Sequence, residues 1–392
     1  MFQGRVKRRR RAAAMAVSLA GILVAGLVAI AAPASAAARA AALTAPSVAT
    51  GYSHTCAINT AGALSCWGGN YSGQLGDGTT TNRTAPVRVT DATWAAVEAG
   101  TSYTCGVRTD GTLWCWGSNA RGQLGDGSAT RRTTPVRVGE ATTWATVSAG
   151  ENHTCAVRTE GTLWCWGSNR NGQLGTGDPA DTRTPLQVGT ATTWSTVATG
   201  YAHTCATRTD GTLWCWGDAS FGQLGLGTPL SYRATPAQVG TATTWSGVTA
   251  GYAFTCAVRT EGTLWCWGEN GYGQLGVTGG QQPAPVRVGD ATTWRAVTAA
   301  FDTACALRAD GSLWCWGNNT AGQLADGTTT HRYAPVRIGT ATTWTADTAA
   351  GYHNCSFRTD GSLWCWGNNA NAQLGDGTTT QRPAPQQVAL PS

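Results

Sequence analysis

The sequence repeats itself from about residue 44 to its end with a period of 49–51 residues. The third copy reads Cys155-Ala-Val-Arg-Thr-Glu-Gly-Thr-Leu-Trp-Cys165-Trp-Gly, and seven copies fill this region. Each copy continues into Gly-Gln-Leu-Gly, except that Ala325 replaces the last glycine in the sixth copy and Ala372 replaces the first glycine in the seventh. A fixed period of this size indicates a solenoid or a propeller. The length of 392 residues therefore reflects repetition and not two or three unrelated domains.

Each copy carries the signals of β-strands. Short apolar runs alternate with turns of Gly, Asp and Thr, and no helical periodicity lasts two turns. A proline precedes one apolar run, as in Pro185 to Val188, and a Trp-x-x-Val segment follows it. Four short strands in each of seven copies predict an all-β fold, a seven-bladed β-propeller with four-stranded blades.

The two ends of the repeat region favour a closed ring. The Trp-x-x-Val segment occurs six times, with Asp347 in place of the last valine. The chain ends after the Pro-to-Val strand of the seventh copy, and Ala45-Pro46-Ser47-Val48 stands where the remaining segment belongs. Closure protects sheet edges that an open array would expose. Whether this N-terminal strand joins the first or the last blade stays open at this point.

Residues 1–36 are predicted to be a secretory signal peptide. A basic stretch from Arg5 to Arg11 precedes an apolar run over residues 12–32, and the small residues Ala34-Ser35-Ala36 follow. The apolar run is long enough for an uncleaved membrane anchor, which is the alternative. The Ala-x-Ala site favours cleavage after Ala36. We therefore expect a linker at 37–43, a propeller at 44–392, and a secreted monomer without membrane insertion.

The charge of the chain is concentrated in this leader. The formal net charge is +6, from 27 basic and 21 acidic residues. The leader holds six basic residues and no acid, so 21 basic residues match 21 acids in the remainder. These basic residues are spread along the chain without a cluster. The footprint of a nucleic-acid-binding protein is a basic patch, so we expect no nucleic-acid partner.

The cysteines of each copy are ten residues apart, and the turn between them reads Thr-Asp/Glu-Gly in five copies, Thr-Ala-Gly in the first and Ala-Asp-Gly in the sixth. A three-residue hairpin loop ending in a left-handed glycine places Cys155 opposite Cys165 and Val157 opposite Leu163. Opposed residues in a non-hydrogen-bonded pair have Cα atoms about 4.5 Å apart, which suits a disulfide. Seven disulfides are predicted: Cys56–Cys66, Cys105–Cys115, Cys155–Cys165, Cys205–Cys215, Cys256–Cys266, Cys305–Cys315 and Cys355–Cys365. The alternatives are free thiols or a metal site, although zinc ligands are usually two to four residues apart.

The residues His203-Thr204-Cys205-Ala206, Trp216-Gly217 and Gly222-Gln223-Leu224-Gly225 resemble the regulator of chromosome condensation repeat family. The resemblance covers almost all of residues 44–391 and implies a seven-bladed propeller. It implies one of several activities: nucleotide exchange on a nuclear small GTPase, chromatin binding, or, as in a secreted bacterial relative, inhibition of β-lactamase. The export signal, the paired cysteines and the neutral chain distinguish this sequence from the nuclear members. Fold alone does not decide among these activities.

No motif of an enzyme or a metal site is evident. Gly-x-Ser-x-Gly, His-Glu-x-x-His and phosphate-binding loops are absent from the sequence. His54, His153, His203 and His353 share one column of the repeat. A metal site is the alternative there, but the column also accepts Tyr103, Phe254 and Thr303, which suits packing. The aspartates of the turns suit Asx-turns. We expect no catalytic residues, no cofactor and no metal.

The 19 tryptophans fall into three columns of the repeat, which favours packing between blades over a carbohydrate site.

The positions at which the copies disagree are the candidates for binding. A dipeptide that precedes Gly-Gln-Leu-Gly differs in every copy, whereas its surroundings are nearly constant. It includes the residues that we call the crown: Tyr71, Arg121, Arg170, Phe221 and Tyr272. The same loop of each blade must lie on one face of a ring, and Tyr, Arg and Phe are enriched at protein interfaces. Neutral drift in a solvent loop is the alternative.

The sequence thus predicts a rigid, secreted propeller that binds another macromolecule, in the first place an unidentified protein, through loops on one face. The alternatives are an inhibitor of an extracellular enzyme, an exchange factor like the nuclear members of the family, and glycan binding.

Overall fold

A computed structural model describes residues 46–228, 231–350 and 352–391, and of residues 346–350 the backbone alone. The elements in these ranges are β-strands. The predicted signal peptide and linker lie outside the described residues. No helix long and apolar enough to cross a membrane occurs in the described part.

The strands of the first two repeats are Ser47–Thr50 (β1), His54–Ile58 (β2), Ala63–Gly68 (β3), Arg83–Ala99 (β4), Tyr103–Arg108 (β5), Leu113–Gly117 (β6) and Arg132–Arg137 (β7). The third and fourth repeats form Trp144–Ala149 (β8), His153–Arg158 (β9), Leu163–Gly167 (β10), Thr182–Gln187 (β11), Trp194–Thr199 (β12), His203–Arg208 (β13), Leu213–Asp218 (β14) and Tyr232–Gln238 (β15).

The fifth and sixth repeats form Trp245–Ala250 (β16), Phe254–Arg259 (β17), Leu264–Gly268 (β18), Gln282–Arg287 (β19), Trp294–Ala300 (β20), Thr303–Arg308 (β21), Leu313–Gly317 (β22) and Arg332–Arg337 (β23). The last repeat forms Trp344–Ala350 (β24), His353–Arg358 (β25), Leu363–Gly367 (β26) and Arg382–Val388 (β27).

Backbone pairing joins these strands into six antiparallel sheets. Five have four strands each, β8–β11, β12–β15, β16–β19, β20–β23 and β24–β27, and one has the seven strands β1–β7 in order. The first two repeats share a sheet because β4 continues from the fourth strand of one repeat into the first strand of the next: Val87 pairs with β3 and Ala99 pairs with β5.

A single residue accounts for this continuous strand. In the second to sixth repeats, a glycine in the left-handed region follows the fourth strand, such as Gly139 with φ = 59°. Thr90 stands at the corresponding place in the first repeat. A β-branched residue favours extended backbone and avoids positive φ, so the strand does not break there.

The hairpins have the predicted register. Cys155 pairs with Cys165 and Val157 with Leu163, and Gly161 in the turn has φ = 79°. All seven predicted disulfides are formed, each with its Cα atoms 4.1 Å apart. The disulfides tie the second strand of each repeat to the third, at the centre of each four-stranded unit.

The apolar core lies between neighbouring sheets. In one such layer, Cys155, Leu163 and Leu174 of the third repeat pack against Ala206 and Trp216 of the fourth. The tryptophan that follows the second cysteine is fully buried in every repeat: Trp67, Trp116, Trp166, Trp216, Trp267, Trp316 and Trp366. Its indole N–H donates to the glutamine carbonyl of the preceding repeat, as from Trp216 to Gln173 at 2.9 Å. The tryptophans are therefore packing residues.

A second layer of tryptophans holds six arginines that sequence reasoning did not single out. The guanidinium of Arg208 lies 4.5 Å from the ring centre of Trp194 and 4.1 Å from that of Trp214. The same sandwich is formed by Arg108, Arg158, Arg259, Arg308 and Arg358. Stacking of this kind is an attractive cation–π contact, so each arginine joins two strands of its sheet.

The N-terminal strand belongs to the first repeat. Val48 of β1 pairs with Ala57 of β2. The last repeat packs against the first through side chains: Trp67 donates to the Gln373 carbonyl at 3.0 Å, and Asn59 donates to the Pro391 carbonyl at 3.1 Å. The contact from Trp67 to Gln373 repeats, across the two ends of the chain, the contact that joins every other pair of neighbours.

Candidate functional site

The loops that vary between repeats lie at one end of the sheets. The first strand of each repeat runs toward this end, the second returns from it, and the third runs toward it again. Hydrogen bonds join the two loops that result: the Ser118 N–H donates to the Ser102 carbonyl at 2.9 Å, and the Gln123 amide donates to the Asn152 side chain at 3.2 Å. We call this end the loop face.

The structure places the five crown residues on the loop face, in the loops between third and fourth strands. Tyr71 is 67% exposed, and Tyr272 and Phe221 are about 40% exposed. Arg170 is exposed and Arg121 is partly exposed. Exposed aromatic and arginine side chains on one face are typical of protein-binding surfaces.

The crown loops are held by side chains of the repeat itself. The Gln123 side-chain oxygen accepts the Arg121 N–H at 2.9 Å, and the Asn119 side-chain oxygen accepts the Leu124 N–H at 3.0 Å. The same glutamine contact supports Phe221 and Tyr272. The backbone of the crown is therefore fixed, and its side chains are free to differ.

The longer variable loops, which precede the fourth strands, also lie on the loop face. The Arg131 guanidinium of the second repeat donates to the Tyr71 carbonyl at 3.1 Å. Arg121 and Asp181 of the following repeat lie 3.7 Å apart, and the Tyr272 and His331 rings are 5.1 Å apart. Each of these crown loops thus contacts the long loop of the next repeat, and together they form a continuous surface.

An inner ring of loops on the same face was missed by sequence reasoning. Five aromatic side chains, which we call the aromatic arc, contact one another in turn: Tyr201, Tyr252, Phe301, Tyr352 and Tyr52. Thr101 and Glu151 occupy the corresponding loops of the second and third repeats. The sequence feature that could have predicted the aromatic arc is the position four residues before the first cysteine of each repeat. This position holds Tyr, Thr, Glu, Tyr, Tyr and Phe in the first six copies.

Phe301 of the aromatic arc has a rare backbone conformation, with φ = 30°. Bulky residues are seldom found at positive φ, and such strain is concentrated at functional sites. The Phe301 carbonyl accepts the Tyr252 N–H at 2.9 Å, which joins the fifth and sixth repeats at this point.

The aromatic arc borders a cavity of about 360 Å³ on the axis of the repeat array. The first strands line it with small and aliphatic residues, among them Ala99, Ala149, Val197 and Val248. Glu98 also lines the cavity. Burial raises the pKa of the Glu98 carboxyl to about 7.

Other carboxyls lie near the opening of the cavity. Burial, together with the charge of Glu269, raises the pKa of Asp302 to about 6. Burial also raises the pKa of Glu151 and that of Glu269. In the part of the chain that the structure describes, no ion pair joins Glu98, Glu269 or Asp302 to a basic side chain. The opening is therefore acidic and aromatic.

The four histidines of the repeat column lie between sheets and not around a common centre. The ring Nε2 of His54 contacts the Thr104 hydroxyl at 2.9 Å, and equivalent contacts join the others to the next repeat. Burial lowers the pKa of His54 to about 3 and that of His203 to about 4, so these rings are neutral. Their role is packing and hydrogen bonding between repeats.

The aspartates of the Asp-Gly-Thr/Ser segments that follow Gln-Leu form Asx-turns. The Asp126 carboxylate accepts the Ser128 N–H at 2.9 Å and pairs with Arg132 at 2.7 Å. Equivalent ion pairs involve Asp77, Asp326 and Asp376. In the hairpin turns, Asp110 accepts the Thr112 N–H at 3.0 Å. These carboxylates are satisfied within their own loops.

Comparison with known proteins places this geometry in a family. The model of the RCC1-like domain matches residues 141–392, and the regulator of chromosome condensation repeat matches residues 61–107 and 110–157. No curated protein matches the chain by sequence.

Solved structures share the fold. The structure of yeast RCC1 (Prp20) bound to Kap60 is 20% identical, with a TM-score of 0.75 and coverage of 83% of both chains. Human WBSCR16 is 21% identical, with a TM-score of 0.75 and coverage of 84% of this chain and 94% of that one. The ectodomain of the Arabidopsis thaliana receptor kinase ACR4 is 18% identical, with a TM-score of 0.51 and coverage of 89% and 98%. Together with the match over more than half of the sequence, this shows that the chain belongs to the RCC1-like domain family of β-propellers.

Proposed function

We propose that this protein is an exported, non-enzymatic scaffold that binds another protein through the loop face. The observation that carries the proposal is the distribution of exposed apolar side chains. Nine large hydrophobic residues are exposed in the described chain, and eight of them lie in or beside the loops of this face: Tyr52, Tyr71, Tyr201, Phe221, Tyr232, Tyr252, Tyr272 and Tyr333. Exposed apolar surface concentrated in this way marks interaction sites on soluble proteins.

The rigidity of the loop face supports the same function. Because the disulfides, the buried tryptophans and the Gln and Asn side chains fix the loops before binding, little conformational entropy is lost when a partner docks. Relatives with this fold bind proteins: one structure shows yeast RCC1 with Kap60, and another reports binding of Prp20p to Gsp1p and histones.

We further propose that the seven repeats close into a seven-bladed ring. The hydrogen bond from Trp67 to Gln373 and that from Trp116 to Gln74 are equivalent, at 3.0 and 2.9 Å. The contact between the last and first repeats therefore has the form of the contacts within the array. Such closure keeps the loops of all seven repeats on a common face.

Capture with paired variants tests the binding proposal. The oxidised chain from residue 37 serves as bait for culture supernatant and cell-envelope extract. One variant carries alanine at Tyr71, Arg121, Phe221 and Tyr272. A matched control carries alanine at four exposed residues that none of these loops contain: Glu140, Leu186, Asp290 and Arg295.

We expect the native bait and the control to retain one protein in near-stoichiometric amount. With that protein purified, the crown variant should bind at least tenfold more weakly. Equal binding by the crown variant, or no captured protein, would reject the crown as the binding surface. Inhibition of a captured hydrolase by the native chain would assign the partner to the class of extracellular enzymes.

Export is tested separately. Expression of the full chain should release a protein into the medium whose N-terminus, read by mass spectrometry, is Ala37. A product that stays in the membrane with its leader attached would show an anchored protein instead.

A further inference from the structure

The cavity behind the aromatic arc has a chemically asymmetric wall. Its residues come largely from the first strands of the repeats. In each first strand, one residue pairs with the first cysteine of the same repeat, and these residues form a column: Ala49, Glu98, Ser148, Ala198, Thr249, Thr298 and Thr348. Glu98 is the only charged member of this column. A repeat that accepts Ala, Ser or Thr at this place does not need a carboxyl for folding.

Glu98 is unpaired in a place where an unpaired charge is costly. The Ser148 and Thr199 hydroxyls, which line the cavity beside it, contact each other at 2.9 Å, and the Thr249 hydroxyl accepts the Ala299 N–H at 2.9 Å. A carboxylate withdrawn from bulk water without a cation is unfavourable. A ligand that brings a positive charge into the cavity removes this cost.

The entrance favours a cation as well. Glu151 and Asp302 flank the aromatic arc, and Arg121 is the one basic group that acts on Glu151. Tyrosine rings and hydroxyls at the entrance offer apolar contact and hydrogen-bond acceptors. The Phe301 ring contacts the rings of Tyr52, Tyr252 and Tyr352.

The depth of Glu98 suits a cation at the end of an extended side chain. Glu98 is two residues inside Gly100 along β4, a depth of about 7 Å in an extended strand. The wall between Gly100 and Glu98 includes the small aliphatic residues Ala99 and Ala149 beside the Thr199 hydroxyl, and Val197 and Val248 lie one strand position deeper than Glu98. A lysine side chain has a flexible four-carbon stem that ends in a compact ammonium group with three donors. Its stem matches the walls, and its charge matches Glu98.

We propose that the cavity receives the side chain of a lysine presented by the protein partner, with its ammonium group paired to Glu98 and its stem between the aliphatic walls. This inference rests on the proposed protein-binding function and names the chemistry of the partner at the centre of the loop face. It concerns the axis of the array, whereas the crown lies in the outer loops.

Binding of short peptides tests this proposal without the partner. The probes are a blocked Gly-Lys-Gly peptide, the same peptide with norleucine, which keeps the four-carbon stem without the charge, and n-butylammonium. The oxidised chain from residue 37 is titrated with each probe, and binding is followed by calorimetry. The variant is Glu98→Gln, and the control is Glu140→Gln, which removes an equal charge at an exposed carboxyl.

We expect the lysine peptide to bind to the native chain and to the control, and the norleucine peptide at least tenfold more weakly. Glu98→Gln should weaken lysine binding at least tenfold. Tyr252→Leu, which removes one ring of the aromatic arc, should weaken it severalfold, so the proposal does not depend on one variant. Because the ionised form of Glu98 is the one that binds, affinity should fall between pH 8 and pH 5.5 in the native chain, and it should fall less in Glu98→Gln, in which only Asp302 and the other carboxyls at the entrance still titrate.

Equal affinities for lysine and norleucine, or an unchanged affinity in Glu98→Gln, would overturn the proposal. Binding of n-butylammonium as tight as that of the peptide would support the proposal, because it would show that the stem and the ammonium group account for recognition. Peptide binding without capture of any protein would reject the proposed function but leave the cation site standing, so the two failures are distinguishable.

Discussion

Replacement of Glu98 by glutamine should stabilise the protein, and only above mildly acidic pH. Glutamine keeps the shape of the side chain and removes its charge. The pKa of Glu98 rises from 4.5 in the unfolded chain to about 7 in the folded one. Between these values the folded protein binds the extra proton, so the free energy of unfolding falls as pH increases. Glu98→Gln has no charge at this position, so its free energy of unfolding does not fall in this way as pH increases.

The size of the effect follows from the two pKa values. A difference from 4.5 to about 7 corresponds to about 3 kcal/mol. Glu98 retains partial access to water in the cavity, which reduces the penalty, so we expect about 2 kcal/mol at pH 8. Below pH 4.5 Glu98 is protonated in both the folded and the unfolded state of the native sequence, so the variant should gain no stability from the missing charge.

Other titrating groups do not obscure this difference. Tyr103, which packs beside β4, ionises far above this range because burial raises its pKa. Asp302 and Glu151 titrate in both proteins and cancel in the comparison. Glu140→Gln, at an exposed carboxyl, controls for the general change in charge.

Guanidinium unfolding of the oxidised chains at pH 4, 6 and 8 measures the effect. The advantage of Glu98→Gln should be near zero at pH 4 and should grow to its full value by pH 8. A constant difference across this range, or a variant less stable than the native chain at pH 8, would refute the assignment of Glu98 as an unpaired, buried carboxyl.

Three further substitutions test the packing. Arg208→Met should lower the free energy of unfolding by about 1–3 kcal/mol because it removes a guanidinium held between two indole rings. Arg295→Met, at an exposed site, should change the free energy of unfolding by less than about 0.5 kcal/mol. Equal effects of the two substitutions would contradict the stacking argument. At Asp126, burial opposes ionisation, but hydrogen bonds from Ser128 and Arg132 outweigh this effect and lower the pKa of the carboxyl. Asp126→Asn should therefore destabilise the protein near neutral pH, and the difference in stability from the native chain should shrink as pH falls through the pKa of Asp126 in the folded protein. A difference that does not change with pH would show that the ionised form is not the stabilising one. Ala325 has φ = 53° and occupies a place where the other repeats have glycine. Ala325→Gly should therefore raise the free energy of unfolding by about 1 kcal/mol in thermal or denaturant unfolding. A loss of stability would mean that packing of the methyl group contributes more than the backbone strain costs.

Local pattern in the sequence was sufficient for the strands and the disulfides. The ten-residue spacing around a Thr-Glu-Gly turn predicts the partner of Cys155, and the structure has that register. The reason is that a tight hairpin fixes its pairing through its own few residues. The crown was found in the same way, since its loops end third strands that must all point to one face.

The fusion of the first two sheets was not predicted. It depends on Thr90, which replaces a glycine found in the second to sixth repeats, and the repeat pattern does not reveal the conformation of that glycine. The arginine sandwiches were missed for a related reason. Arg208 and Trp214 are separated by a turn, and their contact with Trp194 requires three strands to be placed side by side.

By itself, the sequence determined the repeat, the strand register, the cysteine pairing and the set of residues that vary, because each is encoded within about 50 consecutive residues. Only the tertiary structure decided how the repeats meet. It brought Tyr52 beside Phe301 and Tyr352, and it placed Glu98 in a cavity whose walls come from several repeats. These contacts join residues up to about 300 positions apart in the chain, and no local periodicity carries that distance.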